Sequence, residues 1–421
     1  MEGVAQQRER KHRGAGTGVG AGVAGNGRLR SAVCRHTSGP AGRQSGRDPA
    51  SRPGLHARAT GVRCCNYANI NLQPTNRDAT KVDTPNTPNY NGATAQTRMI
   101  NDSQGALTQA ILYYVTGRNE YRRNAMRILR TWSNMNPNGY AYFPDAHIHN
   151  GVPLSRMLMA AEIMRYTPAD PTYTEYPLAW TDTDTQKLKD NLIDPMERTF
   201  FASNERFMNQ HNYSLVGRLA GAIFTDNRAR YDETVEWMTV NATSTRQDIN
   251  GALLPLIPRI EADNPLNKYG APFYQIQEMA RDQAHGGDNV DILGGLLRMV
   301  NAQGTKVDPF TGKPSGSGDA VSVYRFGGDR LLRGANAYAQ YMLGYDTPWA
   351  DTTGGTSNIS PAYRGRLYEV DAIPEIYNAY RYTEGVNVEA EARRRLGDAH
   401  RRRAHVRPRG RDAGRRDDRV P

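Results

Sequence analysis

The chain has 421 residues, room for one large or two ordinary domains, and a formal charge of +11. Residues 1–63 carry 12 Lys and Arg against 3 Asp and Glu, and residues 393–421 carry 12 against 4; removing these +9 and +8 ends leaves 64–392 at −6. The basic balance therefore belongs to the ends, which excludes a body built to hold a polyanion by bulk charge, and three cysteines (Cys34, Cys64, Cys65) at the edge of that body exclude a disulfide framework or thiolate metal site within it.

In chain order, "RKHRGAGTGVGAGVAGNGRLR" opens an Arg/Gly/Ala stretch with almost no apolar periodicity, and "RRRAHVRPRGRDAGRRDDRVP" closes the chain in the same manner. Such segments bury too little surface to offset chain entropy, so 1–63 and 393–421 are expected to be disordered basic segments. Two origins stand for them: a nucleic-acid-binding arm, or a misread frame or start. No N-terminal window holds the roughly 7–15 apolar residues of a signal-peptide core. No stretch reaches the ~20 of a membrane span.

The body, 64–392, begins with a looped Asn/Thr/Asp/Pro lead-in over 66–90. From Thr94 onward helical patterns dominate. "DSQGALTQAILYYVTGR" is expected to start at a cap on Asp102 or Ser103, bury Leu107, Ile111, Tyr114 and Val115, and end at Gly117. "NEYRRNAMRILRTWSNM" follows with Tyr121, Ala125, Ile128, Leu129 and Trp132 on one face, making a helical hairpin. Further helices are expected over 153–167, 183–200, 212–227, 229–243, 289–304, 329–346 and 375–384, with strand-like character confined to short runs such as 320–326. The fold class expected is all-α, and successive hairpins without a fixed short period suit a closed toroid better than a regular repeat array. The Gly/Ser/Pro-rich stretch 304–319 lacks the spacing of a phosphate loop and reads as a surface connection.

Three polar clusters stand out. "FPDAHIHNGVPLSRM" places His147 and His149 two apart on what reads as an extended segment; two ligands do not make a metal site, so substrate lining or core is the expected role. "NERFMNQHNYSLVGR" sets Asn209, Gln210, His211, Asn212 and Tyr213 directly before an apolar helix, more polar side chains than a cap requires. "QIQEMARDQAHGGD" reads as a helix with Glu278, Arg281, Asp282 and His285 on one stripe, ended by Gly286 and Gly287 at a cleft; an exposed charged face would look alike, but Gln283 and His285 suit one poorly. Tyr140, Tyr142, Phe143, Tyr274 and Tyr324 can either stack on sugar rings or pack.

"NQHNY", "EMARDQAH", "NAQG", "RLLRGANAYAQYMLGYDTPW" and "PEIYNAY", spread over most of 94–385, resemble the alginate lyase-like polysaccharide lyases. The resemblance implies an (α/α) toroid that cleaves a uronic-acid polymer by β-elimination, secreted or periplasmic, with no cofactor and no metal. It implies that Asn209, Gln210 and Arg281 neutralise the sugar carboxylate, with Gln283 as a further donor. His211, Tyr213 and His285 would move protons, and Glu278 would orient Arg281 or His285. His147, His149 and Tyr274 would line the substrate. The sequence departs from the family where a tyrosine commonly follows the arginine; here 286–288 are Gly-Gly-Asp, leaving Tyr213, Tyr274 or Tyr324 to supply the hydroxyl. Two other readings remain at this point: a glycoside hydrolase using Glu278, Asp282 or Asp288, and a non-catalytic carbohydrate- or nucleic-acid-binding protein.

Overall fold

The structure, a computed structural model, describes residues 66–76, 89–279, 283–352 and 372–391. Both basic ends and the three cysteines lie outside them. The chain divides into two units at Asn69/Ile70. In the first, the described residues form one short turn in which the Asn69 N–H bonds the Asn66 carbonyl at 3.2 Å. The second is mostly helical.

Its principal helices are α1 (Ala93–Thr116), α2 (Asn119–Trp132), α3 (Ala146–Tyr166), α4 (Asp182–Leu188), α5 (Met208–Phe224), α6 (Arg228–Thr239), α7 (Gln283–Ala302), α8 (Phe326–Met342) and α9 (Ala372–Asn378). Two small antiparallel ribbons accompany them. Strand β1 (Arg259–Ile260) pairs with β2 (Phe273–Tyr274), and β3 (Lys306–Val307) with β4 (Val321–Ser322). Alternate helices pack on one another: α1 on α3, α3 on α5, and α5 on α7, with α2 and α6 set against α1 and α5. Among the described residues no helix is long and apolar enough to cross a membrane.

Helix α5 joins two hydrophobic cores. Its Leu215, Val216, Leu219 and Ala222 belong to a core shared with α6, α7, α8 and α9. Its Ala220 and Phe224 belong to one shared with α1, α2, α3 and the α4 region. Glycines let α3 and α5 touch by their backbones: a Cβ on Gly151 would stand 1.9 Å from the Tyr213 carbonyl oxygen, and one on Gly217 would stand 2.9 Å from the Gly151 Cα. A crossing this close tolerates no larger residue at Gly151.

Several boundaries differ from the sequence reading, each for a physical reason. α1 begins at Ala93, not at Asp102 or Ser103, and its C-cap is Gly117 at φ 67, as expected. Asp102 is buried within α1, where its carboxylate accepts from Thr75 N–H (2.8 Å), Thr75 Oγ1 (2.8 Å), Asn76 N–H (3.1 Å) and Trp132 Nε1 (2.9 Å). A buried carboxylate with four donors looked from sequence like a cap. The buried face is the one that carries Asp102: Ala106, Ala110 and Tyr113 face the core with it, while Ile111, Tyr114 and Val115 are exposed. For α2 the reading holds, with Ala125, Ile128, Leu129 and Trp132 buried.

α3 starts before Pro153 and runs through it; proline was read as the first helical residue, a role it often takes. The run that begins with α4 continues to Phe201 with π-helical turns at Lys189–Ile193 and Glu197–Phe201 around Pro195. Pro195 has no N–H for the Asn191 carbonyl, which accepts the Tyr140 hydroxyl at 2.7 Å instead. α7 starts where its predecessor was expected to end: Gly286 and Gly287 lie inside it. A Cβ on Gly286 would come within 3.0 Å of the Met279 Cα and of the Tyr338 ring, so that glycine serves packing and not a helix stop.

Candidate active site

The polar run Asn209–Tyr213 forms the first turns of α5, not a segment before it. Three of its members anchor the helix. The Asn209 N–H bonds the Glu278 carboxylate at 3.1 Å, an acid at the end of a helix dipole that favours negative charge. His211 Nε2 bonds the Trp237 carbonyl at 2.9 Å. Asn212 Nδ2 donates to the Gly251 carbonyl at 2.8 Å. Gln210 faces the other way, toward α3.

His147 meets it there. The two histidines expected on an extended segment lie in the first turn of α3, two apart and so on different faces. His147 is 4 % exposed, while His149 is exposed. His147 Nε2 lies 3.1 Å from Gln210 Oε1, and its Nδ1 2.8 Å from the Tyr142 hydroxyl. The amide oxygen can only accept, so Nε2 carries the proton and Nδ1 presents a lone pair to the Tyr142 O–H, a tautomer assigned from the network. Burial pushes His147 below the usual imidazole range; its bond to Gln210 raises it, and the Arg206 charge lowers it further. The ring is thus neutral at neutral pH.

Arg206 completes the cluster. Its guanidinium lies 5.2 Å from the centre of the Tyr142 ring, and its buried Nε has no hydrogen-bond partner among the described residues. Tyr142 is 47 % exposed, the part of the cluster that reaches solvent. Two backbone outliers frame the group. Asp145 (φ 61) precedes α3 and Met208 (φ 40) opens α5, both left-handed and neither glycine. Such residues cost about 1–3 kcal/mol each and gather where position matters more than stability. Met208 is held by Gly251, on which a Cβ would stand 1.9 Å from the Met208 carbonyl oxygen.

The other expected residues fall as follows. Glu278 is 4 % exposed and sits in a turn, so it shares no helical stripe with His285. Asn289 Nδ2 links the two, reaching Glu278 Oε2 at 3.4 Å and the His285 carbonyl at 2.8 Å. His285 and Tyr213 are half-buried. Arg281 and Asp282 lie outside the described residues, as does the side chain of Gln283. Tyr274 is half-buried on β2, 5.2 Å from the Arg330 guanidinium and 5.3 Å from that of Arg333.

His211 has no exposed surface. Burial lowers its pKa to about 4, against the raising effect of the Trp237 carbonyl, and the Arg218 charge adds to the lowering. A side chain so enclosed cannot exchange a proton with a polymer, so its place is in holding α5. Of the aromatic candidates, Tyr140 and Phe143 pack with Tyr90 and Phe200, and Tyr324 with Tyr380. Tyr142 and Tyr274 remain accessible. Arg206 escaped the sequence reading although it stands four residues before Gln210; with no other marker, it looked like a solvated charge.

A separate cavity of about 450 Å³ lies between α2 and the 176–187 segment and contains none of the expected site residues. Arg130 in its wall is engaged by Asp184 (2.8 and 3.0 Å) and by two carbonyls. Compared with protein-family models, curated proteins and solved structures, the chain matches none. Function is therefore read from the geometry.

Proposed function

We propose that the protein is a polysaccharide lyase that cleaves a uronic-acid polymer, alginate- or glucuronan-like, by β-elimination. We further propose that its helices close an (α/α) toroid with α1, α3, α5 and α7 as the inner layer. The packing of alternate helices supports the second part. One observation carries the first: Tyr142, His147 and Gln210 form a hydrogen-bonded chain across the α3–α5 junction, with Arg206 beside it.

The chemistry follows from the donors. The C5 proton of a uronate is weakly acidic, and the charge that develops on its removal spreads into the carboxylate. Arg206 and the Nε2 hydrogens of Gln210, which take no partner among the described residues, neutralise that charge as it forms. Tyr142, the exposed member, meets the sugar. His147 Nδ1 accepts its hydroxyl proton, and the phenolate oxygen then removes the C5 proton. The C4–O4 bond breaks, a C4–C5 double bond forms, and the proton held at the tyrosine–histidine pair passes to the departing O4. Arg281, Tyr213 and His285 remain candidates for a second carboxylate contact and for O4 protonation.

A glycoside hydrolase needs two carboxylates free to flank the scissile bond. Glu278, one of the three hydrolase candidates, is buried and bonded to α5. The test is ultraviolet absorbance from the unsaturated product end, expected with the wild type and lost with Tyr142→Phe. Products lacking that absorbance would point to hydrolysis instead.

A further inference from the structure

The cavity between α2 and the 176–187 segment shares no residue with the proposed active site. Its volume of about 450 Å³ falls within the roughly 300–1,000 Å³ that hold small organic ligands. Its wall carries three cationic side chains, Arg127, Arg130 and Lys187, against one carboxylate, Asp184.

That carboxylate is spent within the fold. Asp184 takes Arg130 through both its oxygens, at 2.8 and 3.0 Å. It also accepts the Thr181 N–H at 3.0 Å and the Thr181 hydroxyl at 2.9 Å, in the cap of α4. Arg130 in turn donates to the Pro177 and Ala179 carbonyls and lies 5.4 Å from the centre of the Tyr176 ring. Arg127 and Lys187 make neither a hydrogen bond nor an ion pair among the described residues. The pairing of Arg130 with Asp184 therefore leaves two positive charges on the wall that no side chain of the wall cancels.

A second observation points to a ligand. Arg127 and Thr131 are one turn apart on α2, so the guanidinium and the hydroxyl rise from one face of the helix. A helical threonine ordinarily returns its hydroxyl to the carbonyl four residues back, as Thr97, Thr116, Thr234 and Thr239 do. Thr131 does not. It is 5 % exposed, it lines the cavity, and its hydroxyl takes no partner among the described residues. A hydroxyl so buried goes without a hydrogen bond unless something in the cavity supplies one.

We propose that this cavity is a binding site for a small hydroxylated anion, a sugar acid or a sugar phosphate, whose anionic group is held by Arg127 and Lys187 and bonded by the Thr131 hydroxyl. Lys187 is exposed and marks the solvent side, while Arg127 is half-buried. The remaining wall includes the hydroxyl-bearing Ser133, Tyr176 and Thr183, which suit a body rich in hydroxyls. The volume exceeds what a bare inorganic ion fills. The site is independent of the elimination chemistry proposed above.

The experiment is calorimetric titration of the full chain with glucuronate, glucose 6-phosphate, glucose and inorganic phosphate. Glucuronate and glucose 6-phosphate differ from glucose only by an anionic group at one end, so they separate a carboxylate ligand from a phosphate one. At least one of the two is expected to bind about tenfold or more tighter than glucose and than inorganic phosphate. Arg127→Met, which keeps the apolar stem, and Lys187→Gln are each expected to weaken that probe by about tenfold or more. Thr131→Val, which removes only the hydroxyl, is expected to weaken it by about threefold or more. His147→Ala, in the other site, is expected to leave it unchanged.

A wild type that binds none of the probes overturns the proposal, as does one that binds glucose or inorganic phosphate as tightly as the sugar anions. Binding that survives Arg127→Met and Lys187→Gln undiminished lies elsewhere and overturns it too. Should Arg127→Met lose its helical signal, Lys187→Gln decides alone, because an exposed side chain without a partner among the described residues carries no part of the fold.

Discussion

His211→Gln tests whether the buried imidazole is structural. Glutamine keeps an N–H for the Trp237 carbonyl but does not titrate. The native pKa of His211 lies at about 4, below its ordinary 6.5. Between these values the unfolded chain binds a proton that the native state refuses. Stability therefore rises with pH through this window and is lost as pH falls from about 6.5 toward about 4. At about 1.36 kcal/mol per pH unit, the contribution from this one group is about 3 kcal/mol, undiminished by solvent because the ring is fully buried. Urea unfolding followed by helical circular dichroism at pH 7 and pH 4 gives the stability of both proteins. The wild type is expected to lose about 3 kcal/mol more than His211→Gln over that interval, since every other titrating group is common to both. Parallel losses would refute the reasoning and place the imidazole in contact with solvent.

Other expectations follow from the same geometry. Tyr142→Phe and His147→Ala should each lower kcat by about 100-fold or more with the helical signal retained; the melting temperature should hold for exposed Tyr142 and fall for buried His147, whose loss leaves the Gln210 amide oxygen unbonded, and full activity in either would remove that residue from the chemistry. Gly151→Ala forces a methyl against the Tyr213 carbonyl and should cost about 3 kcal/mol or more in urea unfolding, because two backbones would have to separate. Asp102→Ala strands four donors around a buried position, and a loss of about 3 kcal/mol or more is expected by the same assay.

Much of the helical framework was legible because amphipathic spacing survives without tertiary information. α2 shows this, its buried face matching the pattern from Ala125 to Trp132. Reading failed where a polar residue had a long-range partner. Asp102 resembled a cap because nothing in the sequence announces that Thr75, Asn76 and Trp132 converge on it. Gly286 resembled a stop because its packing partner, Tyr338, lies far along the chain.

The polar wealth of 209–213 was visible, but its division was not. Whether a side chain anchors a helix or lines a cleft depends on which way the first turn faces, and that is set by Trp237, Gly251 and Glu278. Hence His211, expected to move protons, lies fully enclosed, while His147, expected to line the substrate, is the one bonded to Gln210 and Tyr142, and Arg206 beside them drew no notice.

The most direct measurement of the central claim is a panel of mannuronate, guluronate and glucuronate polymers incubated with the full chain and followed by ultraviolet absorbance. Rising absorbance with at least one polymer, abolished by His147→Ala, is the result expected. Flat absorbance with all three, from a protein whose helical content is intact, would contradict it.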